Sequence, residues 1–230
     1  MRKLSIAVVS LDNPEYFNRL MYGLVKNTRT PFEVLLHINA PSQEFYDIAA
    51  RWILRGDIVK YSESVRNIGV ATPANNLFSQ ATGDYFVFLD DDVYPAPGWD
   101  QALLNKVNPK IKCQYLSPAQ FIATSKDPRY FNLHDFGGAP DVFREDAFNA
   151  QWQTTRNIIK DNTLVGGNFL VTRDLWHLVG GFDPTFEKSE DIEFKIHVWK
   201  TAVNLGAPFE FRTVADSCIY HFQGVGNKKA

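Results

Sequence analysis

Three acids in succession, Asp90-Asp91-Asp92, follow directly on the apolar run Tyr85-Phe86-Val87-Phe88-Leu89. Carboxylates this close repel one another unless a cation or water separates them. The triplet therefore suits a divalent metal or a phosphate-bearing ligand, or else a solvated turn, which Asp also favours. A second acid pair, Glu190-Asp191, opens an apolar-periodic segment. The helix dipole favours acids in a first turn, and the same place holds a general base rigidly. His221 sits in Cys218-Ile219-Tyr220-His221-Phe222, where an imidazole is either a hydrogen-bonded core group or a ligand. Arg66-Asn67-Ile68-Gly69 and Asn75 combine amides with a glycine that lets backbone approach a ligand closely. That stretch reads as a nucleoside-holding loop or as an ordinary loop with a helix cap.

The elements that must position these groups alternate through the first half. Leu4 to Val9 reads as a strand, and Asp12-Asn13 offers a cap before Pro14 and an amphipathic helix through Val25. Phe32 to Ile38 is a second strand, and Ser42 begins a helix that stops near Gly56. Ile58 to Tyr61 is a short strand and Pro73 to Ala81 a helix, before the strand Tyr85 to Leu89 delivers the acids. This order predicts a largely parallel sheet covered on both faces, with ligands at the carboxyl edge of its strands. Beyond Pro109 the alternation fades. Residues 110–162 mix strand-like pieces with Pro, Gly and Asn. Order returns with a strand over Thr163 to Thr172, a short helix from Asp174 to Val179 and a longer one from Asp191 to Leu205.

At 230 residues and 45% hydrophobic, the chain is predicted to form a single domain with a substantial core. A formal charge of −2 gives no global attraction to nucleic acid or anionic membrane. Cys113 and Cys218 are the only cysteines, too few for a disulfide scaffold. No apolar run approaches the roughly 20 residues of a membrane span, so a soluble, cytoplasmic protein is expected.

Read in order, the motifs make the chain resemble the family 2 glycosyltransferases, inverting sugar-nucleotide enzymes with the GT-A fold. The resemblance passes from the strand and helix at Leu4 through Asn67-x-Gly69 and Asn75 to Ala81-Thr82-Gly83-Asp84 and the acid triplet. It resumes at Gly166-Gly167-Asn168-Phe169, continues at Val179-Gly180-Gly181-Phe182-Asp183-Pro184, and ends at Ser189-Glu190-Asp191-Ile192-Glu193-Phe194. It implies a Rossmann-like α/β domain, with about residues 1–109 binding the nucleotide sugar and about 110–230 binding the acceptor and carrying catalysis. Asp90 and Asp92 match the family's Asp-x-Asp motif, which implies Asp92 on Mn²⁺ or Mg²⁺ and Asp90 and Asp91 at the ribose or the metal shell. His221 is the histidine placed to complete the metal site. Ser10, Asn67, Gly69 and Asn75 fall in or beside the nucleotide-binding stretch, as does Arg66. Asp191 matches the catalytic base, with Glu190 beside the acceptor.

The chemistry agrees with that assignment. A divalent cation stabilises a leaving nucleoside diphosphate, and an acceptor hydroxyl needs a base to take its proton. One displacement then inverts the anomeric centre. The segment Leu36-His37-Ile38-Asn39 lacks the acid with which many relatives read uracil. Asn39 could accept that hydrogen bond or serve another base, so a UDP-sugar is the preferred donor rather than the required one. Trp152 and Trp176 are candidate sugar platforms for an acceptor that can be a glycan, lipid-linked sugar, protein or modified nucleic acid. Two other readings use the same residues: a non-catalytic nucleotide-sugar-binding module, and a haloacid dehalogenase-type phosphatase. The phosphatase pattern expects Thr or Val where this chain has Tyr94. A nucleotidyltransferase would need a Gly-rich basic loop, which Ser10-Leu11-Asp12-Asn13-Pro14 is not.

Overall fold

The first apolar run forms β1 (Leu4–Ser10), buried at every residue. Its side chains alternate between faces, as the strand period of two requires. On one face Leu4, Ile6 and Val8 join Phe17, Leu20 and Leu24 of α1 (Pro14–Asn27), with Phe45 and Trp52 of α2 (Gln43–Leu54). On the other, Ala7 and Val9 join Leu77 and Phe78 of α3 (Ala71–Ser79). Helices on both faces explain why a strand this central is apolar throughout.

The computed structural model describes residues 2–122, 136–156, 161, 166–186 and 189–222. After β1 come β2 (Phe32–Asn39), β3 (Ile58–Ser64), β4 (Tyr85–Leu89) and β5 (Val93–Pro95), then α4 (Trp99–Asn105). The chain continues through β6 (Cys113–Ile122), a 3-10 turn at Pro140–Val142, α5 (Glu145–Thr155) and β7 (Phe169–Thr172). It closes with α6 (Arg173–Val179), α7 (Glu190–Leu205) and β8 (Phe209–His221). Among the described residues the strands share one sheet in the order β3-β2-β1-β4-β7-β6-β8-β5. β3, β2, β1 and β4 are parallel, as are β6 and β8. β7 and β5 run against their neighbours. Parallel strands put the ends of β1, β2, β3 and β4 at one edge, and the acid triplet with them.

The alternating first half forms as its pattern predicts. The region 110–162 is more regular than expected, because it contains β6, buried over its whole length, and α5. Pro118 and the polar Gln114, Ser117 and Gln120 disguise β6 in the sequence. Pro118 is tolerated where the pairing breaks, and the register with β8 shifts between Pro118 and Ala119. There Val214 and Cys218 are successive partners, so residues 215–217 loop out of β8. The strand expected over Thr163 to Thr172 is seen as Phe169–Thr172, since 162–165 lie outside the described residues.

Asn13 occupies the cap position of α1 yet makes no side-chain cap bond. Its amide is used elsewhere. Around α5 an aromatic cluster of Tyr94, Phe121, Phe143, Phe148, Trp152 and Tyr220 packs under the far end of the sheet.

Candidate active site

Strand register sends the three acids in three directions. Leu89 lies opposite Val8 on β1, so the chain just beyond β4 meets the end of β1. There the Ser10 hydroxyl and, at 3.0 Å, the Asn13 amide both donate to Asp91 Oδ2. Phe88 pairs with Phe169 of β7, which brings Asn168 beside Asp90. The Asp90 backbone N–H donates to Asn168 Oδ1 at 2.7 Å, and Asn168 Nδ2 returns a bond to Asp90 Oδ2 at 2.7 Å. Val93 pairs with His221 of β8, which sets His221 Nε2 3.0 Å from Asp92 Oδ1. The Phe222 N–H also donates to the Asp92 carbonyl at 3.0 Å, locking that register.

Close acids in a buried place shift each other's ionisation. Burial, the Asp92 charge and Asp90 raise Asp91 to about 7 against the bonds from Ser10 and Asn13. Burial, Asp92 and Asp191 raise Asp90 to about 6 against the pull of His221 and Asn168. Burial lowers the His221 imidazole, but Asp92, Asp90 and Asp91 outweigh it and lift the group to about 9. Ligand atoms of Asp90, Asp92 and His221 lie within 4.8 Å of one another, a carboxylate-carboxylate-imidazole set that fits Mn²⁺ or Mg²⁺.

Asp191 stands in the first turn of α7, near enough for its charge to act on Asp90. A Cβ on Gly167 would come within 3.7 Å of its carboxylate, so the Gly166-Gly167 turn runs along it. Lys195, one helical turn on, holds Asp191 Oδ2 at 3.0 Å. Glu190 beside it is half-buried, and burial together with the Asp191 charge pushes its carboxyl up despite a backbone hydrogen bond. Beneath the turn, the Tyr115 hydroxyl donates to the Gly166 carbonyl at 2.8 Å. Gln120 Oε1 reaches His221 Nδ1 at 3.4 Å.

Four of the expected site residues have other surroundings in the structure. Asn39 is buried, with Nδ2 donating to the Gly69 carbonyl and Oδ1 accepting from Ser64 and the Ile68 N–H. Its amide pins the 64–69 loop, and at 2% exposure it presents no surface to a base. Asn75 clasps Phe182 in both directions, donating to its carbonyl at 2.8 Å and accepting from its N–H at 2.9 Å. Trp176 packs edge-on against Phe78 and Phe182 and is 4% exposed; Trp152 packs against Phe121 and is 1% exposed. Neither ring offers a face to a sugar.

Arg66 and Asn67 are exposed on the pinned loop, where Asn67 Oδ1 caps the Gly69 N–H at 2.9 Å and Gly69 takes φ +79. Ser10 and Asp91 meet each other rather than an open surface. Asn13, Gln120, Asn168 and Lys195 are the site residues that motif spacing did not single out. Asn168 lies in the Gly166-Gly167-Asn168-Phe169 motif and Asn13 in the expected helix cap, while Gln120 and Lys195 lie in no motif.

Comparison with known proteins gives the same picture. The chain is 26% identical over 136 residues to polypeptide N-acetylgalactosaminyltransferase 5 of Rattus norvegicus, a match covering 52% of this chain and 14% of that protein. The same figures hold for the Mus musculus protein. This chain therefore corresponds to a small part of those relatives. The fold superposes on a crystal structure of GalNAc-T7 with UDP, GalNAc and Mn²⁺ at a TM-score of 0.69 and 15% identity, over 96% of this chain and 44% of that one. It also superposes on Staphylococcus aureus TarS 1-349 in complex with UDP at 0.63 and 16% identity, over 95% and 60%. These are GT-A folds, and the sheet described above is one of them. The sequence profile described as glycosyl transferase family 2 matches residues 5–163, more than half of the chain. This chain belongs to glycosyl transferase family 2.

Proposed function

We propose that this chain is a metal-dependent, inverting glycosyltransferase that moves a sugar from a nucleoside-diphosphate sugar, preferably a UDP-sugar, to an acceptor hydroxyl. The observation that carries the reading is the convergence of Asp90, Asp92 and His221 on one small volume beside Asp191. Asp90, Asp92 and His221 would hold Mn²⁺ or Mg²⁺, which when bound would stabilise charge developing on the leaving diphosphate. Asp191, fixed at the start of α7, takes the proton from the acceptor hydroxyl as the oxygen attacks the anomeric carbon. Lys195 holds that carboxylate in place until the hydroxyl arrives. Glu190, whose raised carboxyl retains its proton more readily, contacts the acceptor.

The 64–69 loop, carrying Arg66, Asn67 and Gly69, and the end of β1 at Ser10 share the sheet edge with the acids and form the nucleotide side. UDP rests on the relatives, two of whose structures contain it. Residues of about 1–109 supply the donor side and about 110–230 the acceptor side, while His221 reaches back to complete the metal site. A panel of nucleotide sugars, each incubated with protein and Mn²⁺, tests the reading by released nucleoside diphosphate. At least one UDP-sugar should be hydrolysed, and EDTA should abolish the release. Absence of turnover for every nucleotide sugar would overturn the catalytic reading.

A further inference from the structure

Asn168 is fully buried and spends both ends of its amide on one residue. Oδ1 takes the Asp90 backbone N–H and Nδ2 donates to the Asp90 carboxylate, each at 2.7 Å. An amide carries its acceptor and its donor on separate atoms, whereas an ionised carboxylate only accepts and a hydroxyl places both roles on one oxygen. The two bonds fix both the backbone where β4 ends and the rotation of the side chain that follows. Asn168 itself is rigidly mounted. It directly precedes β7, whose Phe169 pairs with Phe88.

We propose that Asn168 is the positioning residue of the metal site: its amide takes Oδ2 of Asp90 and leaves Oδ1 aimed at the cation. The proposal rests on the donor-site reading above. Without the amide, Asp90 is free to swing toward or away from Asp92, and the two carboxylates separate instead of converging. Outer partners of metal ligands typically change metal affinity by about 10- to 100-fold when removed.

The test is titration of Mn²⁺ into protein saturated with UDP, following free Mn²⁺ by electron paramagnetic resonance. Asn168→Ala should weaken Mn²⁺ binding about 10- to 100-fold. The control is Ser5→Ala, which removes buried hydrogen bonds to Glu33 and Gly83 at the opposite end of the sheet. It should lower the melting temperature and leave Mn²⁺ affinity unchanged, so that lost stability alone is separated from lost positioning. If Asn168→Ala does not fold, Asn168→Ser is measured against the same expectation. Wild-type Mn²⁺ affinity in the Asn168 variant would overturn the proposal, as would an equal loss of Mn²⁺ affinity in Ser5→Ala. Absence of Mn²⁺ binding in the wild-type protein would instead overturn the donor-site reading itself.

Discussion

Three adjacent carboxylates are tolerated at the end of β4 because each finds a different kind of partner. Asp90 meets an amide, Asp91 a hydroxyl and an amide, and Asp92 an imidazole. The middle acid, whose role spacing left open, is the one fastened inward to β1 and α1. The meeting of Asp90, Asp92 and His221 was legible through the order of the family motifs and not through residue type, since the apolar context of His221 by itself suits a core imidazole. Asn39 and Asn75 were not legible, because an amide serves a backbone clasp as readily as a ligand, and its partners lie at residues 68–69 and 182. Buried Trp152 and Trp176 misled for a related reason, since ring type does not reveal burial. At this scale Asp191→Asn should keep Mn²⁺-dependent UDP affinity and lower transfer by about 10²- to 10⁴-fold, as loss of a general base does. Parallel calorimetry and transfer rates check it, and near-normal transfer would remove Asp191 from the base position.

The elements that hold these residues were predictable where period and burial agree. β4 runs over Tyr85–Leu89 as its apolar residues alone indicate. The bounds of β6 and β8 were not legible, because their break at Pro118 depends on a partner about 100 residues away and leaves no local periodic signal. Yet this pair carries Gln120 and His221 to the site. A second long-range device is the clasp between α3 and the turn before α7. Gly181 has φ +79, and a Cβ there would lie 2.4 Å from Asn75 Oδ1 and 3.1 Å from Trp176 Cζ2. Gly181→Ala should therefore cost about 1–2 kcal/mol for the left-handed backbone, with further loss as Asn75 is displaced from Phe182. Denaturant unfolding measures this. A variant as stable as wild type would show that the clasp carries no strain-sensitive contact.

Taken whole, the molecule is one sheet whose parallel strands end at a common edge, where ligands of such folds bind. Its first half builds most of that edge, and its last strand returns from the far side to supply His221. Family membership and fold follow from the comparisons, while donor binding is the proposal that the residues meeting at the edge support. No helix among the described residues is long and apolar enough to cross a membrane. The claim on which everything else depends is that Asp90, Asp92 and His221 bind a divalent cation together with a nucleoside diphosphate. Calorimetric titration of UDP into wild-type protein, with Mn²⁺ and with EDTA, and into Asp92→Ala addresses it directly. The account predicts binding to the wild type that strengthens with Mn²⁺, and no such strengthening in Asp92→Ala. UDP affinity that ignores Mn²⁺ in the wild type, or Mn²⁺ dependence that survives loss of Asp92, would contradict it.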